Sequence, residues 1–66
     1  MEFNLNQNEV FTTDEAAQFL KFPPGALRDP DWRRRVGLQA VRVGESLRFL
    51  KQDLIRFLEE RREILP

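Results

Sequence analysis

Gly37-Leu38-Gln39-Ala40-Val41-Arg42-Val43-Gly44-Glu45-Ser46-Leu47-Arg48-Phe49 is where the periodicity of this chain changes. Ala40, Arg42 and Gly44 alternate with Val41 and Val43, and Leu47 and Phe49 flank Arg48. A period of two belongs to strands, and Gly44-Glu45-Ser46 is a turn signal with glycine placed to take positive φ. The stretch predicts a two-stranded hairpin over about 39–43 and 46–50, with one apolar face.

Helical signals lie on both sides of it. Downstream, Leu50, Leu54, Phe57, Leu58 and Arg61 recur at helical spacing, so an amphipathic helix is expected from about 51 to 63, ended by Pro66. Upstream, Gly37 suits the left-handed C-cap of a helix that begins at Asp29-Pro30, where Asp29 can cap and Pro30 fits the first helical turn. Before it, Phe22-Pro23-Pro24-Gly25 stops one helix and starts another. A second helical region is therefore expected over about 24–36, kinked near Pro30. Thr12-Thr13-Asp14-Glu15 forms a capping box, with Thr12 at the N-cap and Glu15 three residues on. Ala16, Ala17, Phe19 and Leu20 follow as an apolar stripe, giving a first helix at about 13–21 after the extended lead-in Glu9-Val10-Phe11.

The order is helix, turn, helix, hairpin, helix. That is a mainly α chain with a small β-hairpin (α+β), the layout of a winged helix-turn-helix. Residues 9–63 form the expected domain, 1–8 a flexible N-terminal tail and 64–66 the C-terminal end.

Composition narrows the function classes. Sixty-six residues make one domain, whose fold buries only about 60% of its unfolded surface. The chain has no cysteine and no histidine, so disulfides, thiolate zinc sites, a Cys nucleophile and the commonest general base are excluded. No nucleophile–base arrangement, phosphate-cradling glycine loop or metal cluster is present, so the expectation is a binding protein and not an enzyme, with no cofactor and no metal. No charged-then-apolar leader occupies Met1–Asn8, which points to the cytoplasm.

Net charge is zero, but it is unevenly spread: residues 1–27 carry −3, residues 28–48 carry +3 and residues 49–66 are neutral. The middle third holds Arg28, Arg33, Arg34, Arg35, Arg42 and Arg48. A basic stripe on a neutral protein suits modest phosphate binding; its alternative is a solvated surface.

Two stretches resemble the excisionase-type helix-turn-helix family, related to MerR-like winged helices. One is Val10-Phe11-Thr12-Thr13-Asp14-Glu15-Ala16-Ala17-Gln18-Phe19-Leu20, similar to the family's opening helix. The other is Gly37 to Phe49 with Lys51-Gln52-Asp53-Leu54, similar to its wing and last helix. The resemblance covers about residues 10–60. It implies binding of double-stranded DNA, with the second helix in the major groove and the wing over neighbouring backbone. The role implied is transcriptional regulator or excisionase-like architectural factor in recombination, bacterial or phage-encoded. Carried over by position, it points to Arg28, Arg33, Arg34 and Arg35 near the groove and to Arg42, Ser46 and Arg48 on or beside the wing.

Where the family opens its second helix with hydroxyl side chains, this chain has Pro23-Pro24-Gly25-Ala26, which can touch a thymine methyl but cannot hydrogen-bond base edges. That departure motivates a rival reading, a protein–protein interaction module on the same fold. Three consecutive arginines fan over about 200° of a helix, so at most two of Arg33, Arg34 and Arg35 face one duplex. Arg28 is open to a guanine contact or to an ion pair with Asp29, Asp31 or an acid of the last helix. Arg42 and Arg48, on opposite strands, can pair across the hairpin with an anion between them, or Arg48 can meet Asp53. Trp32 reads as a core anchor between helix and wing, with stacking on a sugar or base as the alternative. Ile55 widens the last helix's apolar stripe and Ile64 and Leu65 extend it past the last turn, either as core packing with a frayed end or as a seam that makes the chain itself (as dimer or array) a partner; the resemblance adds a recombinase.

Overall fold

The computed structural model describes residues 9–63. Strand β1 (Val10–Thr12) leads into helix α1 (Thr13–Leu20), followed by α2 (Pro24–Arg28), α3 (Pro30–Val36), the hairpin β2 (Val41–Val43) and β3 (Ser46–Leu50), and α4 (Lys51–Glu59). The expected tail at 1–8, and Ile64 and Leu65 of the proposed association stripe, lie outside the described residues.

The first helix starts where its cap dictates. The Thr12 hydroxyl accepts from the Glu15 amide at 3.1 Å, and the Glu15 carboxylate accepts from the Thr12 amide at 2.9 Å. Its end is a left-handed Lys21 (φ 57°), with the Phe22 amide donating back to the Ala17 carbonyl at 2.9 Å. The second helical region is two helices. Pro24 opens α2 and Pro30 opens α3, with the Asp29 carboxylate between them accepting from the Asp31 amide at 2.9 Å. Gly37 (φ 76°) closes α3 in the left-handed conformation expected of it.

The sheet has three strands in the order β1-β3-β2, all antiparallel. The lead-in at Val10 is therefore a strand, pairing Phe11 with Phe49. The hairpin turns on two residues, Gly44 (φ 63°) and Glu45, which fixes Val43 opposite Ser46, Arg42 opposite Leu47 and Val41 opposite Arg48. Side chains alternate, so Leu47 and Phe49 face the core with Arg42 at its rim, while Val41, Val43 and Arg48 share the outer face. The apolar residues of the hairpin thus divide between two faces instead of sharing one, because the two-residue turn leaves no register that brings the valines to the Phe49 side.

Ala16, Ala17, Leu27, Leu38, Phe49 and Leu54 are the buried core, drawn from α1, α2, β3, α4 and the loop before the hairpin. The alanines let α1 lie close against β3 and α4. Trp32 packs as an anchor against the core cluster: it stacks on Phe22 at 5.3 Å and leans on Phe57 of α4 at 6.0 Å. Helix α4 stops at Glu59, short of the expected 63. Beyond it Arg61 lies over the Phe57 ring at 3.9 Å and donates to the carbonyls of Phe57 and Val36, tying the chain to the end of α3. Among the described residues no helix is long and apolar enough to cross a membrane.

Candidate nucleic-acid interface

Helix α3 holds none of the core. Its seven residues contain no buried side chain, and its last turn carries Arg33, Arg34 and Arg35. The helix is fixed instead by its ends, by the half-buried Trp32 and Val36 at the edge of the core, and by one guanidinium: Arg33, half-buried, donates to the Leu27 carbonyl at 2.6 Å. That carbonyl belongs to the last turn of α2, which the break at Pro30 leaves without a helical amide partner. Arg33 is thus the strut of the kink. With Arg33 turned inward, Arg34 and Arg35 are the arginines of the run left exposed.

Between α3 and the wing lies an open cleft of about 420 Å³, with Pro30, Arg33 and Arg34 on one wall and Gln39, Arg42 and Leu47 on the other. Arg42 reaches it because the hairpin register turns this residue to the Leu47 side. Arg34 is held only by an exposed ion pair with Asp31 at 2.9 Å, one helical turn away. Neither Arg35 nor Arg42 has a hydrogen-bonding or ionic partner among the described residues. Of the arginines lining the cleft, Arg42 is thus unpaired among the described residues and Arg34 only loosely paired; Arg35 is exposed on α3 but does not line the cleft.

The other expected contact residues lie apart from this cleft. Arg28, at the end of α2, pairs with Asp14 of α1 at 3.2 Å, not with Asp29, Asp31 or an acid of α4. Asp14 is distant in sequence, and only the packing of α1 on α2 brings it near. Ser46 and Arg48 occupy the outer face of the sheet. Arg48 is half-buried and donates to its neighbour's carbonyl, that of Leu47, at 2.8 Å. It does not face Arg42 across the strands, and Asp53 is taken by Arg56 at 2.9 Å. At the expected reading position, Pro23, Pro24 and Gly25 are exposed and Ala26 half-buried, so α2 offers a duplex shape and apolar contact only.

Sequence reasoning did not find Gln39 as a wall of the cleft, Asp14 as the partner of Arg28, or the Arg61 latch. Gln39 follows the Gly37 cap by two residues and could have been placed there from the cap and hairpin together. The other two join elements far apart in sequence and leave no local signal. No group of three or more acidic, His or Cys residues among those described is placed to hold a metal ion.

A helix pair joined by a tight turn, a third helix carrying exposed arginines and a two-stranded wing beside it define a small winged helix-turn-helix domain. Residues 10–62 match the family described as helix-turn-helix domain, and the chain belongs to that family. The match supports DNA as partner and fits the excisionase-type resemblance. No curated protein and no solved structure matches the chain at significant similarity.

Proposed function

We propose that this protein binds double-stranded DNA through the face formed by α3 and the cleft side of the wing. Arg34, Arg35 and Arg42 would be the principal contacts, with Arg28 flanking them. The observation that carries this reading is the convergence of Arg34 and Arg42 on one open cleft, on a helix that contributes no buried residue to the fold. Arg33 would act by holding α3 at its angle. Ser46 and Arg48 would touch the duplex only where its backbone passes the outer side of the wing.

In the cell the domain would work as a transcriptional regulator or as an architectural factor for a recombinase, in the cytoplasm of a bacterium or a phage-infected host. Both roles use the same contacts. Phosphates contribute most of the affinity, because few hydrogen-bonding groups are offered to base edges. Sequence preference then rests on the deformability of the site and on the exposed Arg34 and Arg35.

The test is charge reversal of Arg34 and Arg35 to Glu, measured by fluorescence anisotropy with a labelled duplex across a salt series. Binding should be abolished while the circular dichroism spectrum is unchanged. Unchanged affinity would favour the rival reading, a protein-interaction module, which draws its support from the apolar surface at Pro23 and Pro24.

A further inference from the structure

We infer that Asp14 and Asp31 are built-in competitors for the DNA, occupying one arginine of the cleft, Arg34, and one outside it that flanks the site, Arg28, in the free protein and holding its affinity down. This rests on the DNA-binding reading above and concerns how that same face is regulated. Of the arginines grouped on or beside the face, Arg28 and Arg34 each carry one carboxylate partner, at 3.2 and 2.9 Å. Both pairs are open to solvent: the side chains are 57% and 74% exposed for Arg28–Asp14, and 76% and 77% for Arg34–Asp31.

Pairs so exposed contribute little to folding. Neither acid is required by its helix as a cap. Thr12 caps α1 and Asp29 caps α3. Each aspartate accepts from one guanidinium nitrogen through one oxygen, a contact that a phosphate oxygen makes equally well, so it competes for the place of a backbone phosphate. When a duplex arrives, the arginine must change partners, and the displaced carboxylate is left close to the phosphate that replaced it. The like-charge repulsion then persists in the complex. The result is a weaker sequence-independent grip, which on a domain with few base-reading groups would otherwise hold it to any duplex.

The consequence can be measured with the whole chain and a duplex of arbitrary sequence. Asp31→Asn should tighten binding by roughly three- to tenfold, and Asp14→Asn with Asp31→Asn together by more. The slope of log affinity against log salt should steepen by up to about 0.9 for each aspartate neutralised. Glu59→Gln is the control: Glu59 pairs with Arg62 at 3.2 Å and with none of the face's arginines, and its loss changes net charge equally. That variant should bind within about twofold of the parent.

In an Arg34→Gln background the gain from Asp31→Asn should shrink, since the competition for Arg34 is gone. If the parent binds in a salt-dependent way and the asparagine variants bind no more tightly than Glu59→Gln, the competitor inference is overturned while the DNA reading stands. If neither the parent nor the double variant binds any duplex at low salt, both fall together. A parent that fails to bind beside a double variant that binds would support both.

Discussion

Helices α1 and α3 are close in length, eight and seven residues, and each begins with a side-chain oxygen accepting from a first-turn amide. They spend their faces differently. Helix α1 turns Ala16 and Ala17 inward, both essentially without solvent contact, and leans Phe19 on Phe11 edge-on at 5.4 Å. Helix α3 buries nothing completely and is secured by a few single contacts, its own Trp32 on Phe22 and Phe57, its own Arg33 on the Leu27 carbonyl, and Arg61 on the Val36 carbonyl. One helix is held by a buried face, the other by a few contacts at its edge. That frees the outward side of α3 for charge, because none of its exposed arginines is needed to keep the helix in place.

The difference can be broken from the core side with the largest effect. Phe49 is fully buried on the central strand and pairs with Phe11, so it joins the sheet to α1. Truncating such a residue costs roughly 3–5 kcal/mol, as much as the roughly 3–5 kcal/mol a core this small supplies. Phe49→Ala should therefore lack a cooperative thermal transition by circular dichroism. A variant that still melts cooperatively near the parent's midpoint would mean that the core is less dependent on this strand than its burial indicates.

How much of this was legible in the sequence follows the range of the interactions. The capping box at Thr12 and Glu15, the stop at Pro23, the kink at Asp29-Pro30 and the left-handed Gly37 are all decided within four residues, and each is in place. Val10 to Thr12 became a strand only because β3 lies beside it, and three residues show no period of their own. The valines of β2 fit either face by pattern; the two-residue turn decided against the core. The candidate site was legible as a list of arginines but not as a surface. Position in the sequence did not separate the inward Arg33 from the outward Arg34, nor turn Arg42 and Arg48 to opposite faces. The first depends on the Leu27 carbonyl, which tertiary packing places; the second on strand register, which follows only once the turn is fixed at two residues, Gly44 and Glu45.

The strut gives the sharpest form of the comparison. Arg33→Ala removes a charged donor from a half-buried carbonyl and should cost about 1–2 kcal/mol in chemical denaturation. Arg34→Ala, which loses only a surface ion pair, should change stability by less than about 1 kcal/mol. On duplex affinity both should weaken binding, the first by misplacing α3 and the second by removing a contact. Equal stability losses for the two would contradict the assignment of Arg33 to the fold and Arg34 to the surface.

The smallest effect lies at the other end of α1. Lys21 closes this helix in a left-handed conformation that glycine adopts freely and lysine does not. Its side chain is exposed, and the bonds that close the helix come from backbone amides, so nothing but conformation is at stake. Lys21→Gly should therefore stabilise the domain by up to about 1 kcal/mol, raising the melting midpoint by up to about 4–8 °C. The added flexibility of glycine in the unfolded chain offsets part of that gain. Helix α3 already has its glycine at the equivalent position, so Gly37→Ala should move stability the other way by a similar amount. A loss at both positions would show that the lysine stem contributes packing at the α1–α2 turn that outweighs its backbone strain.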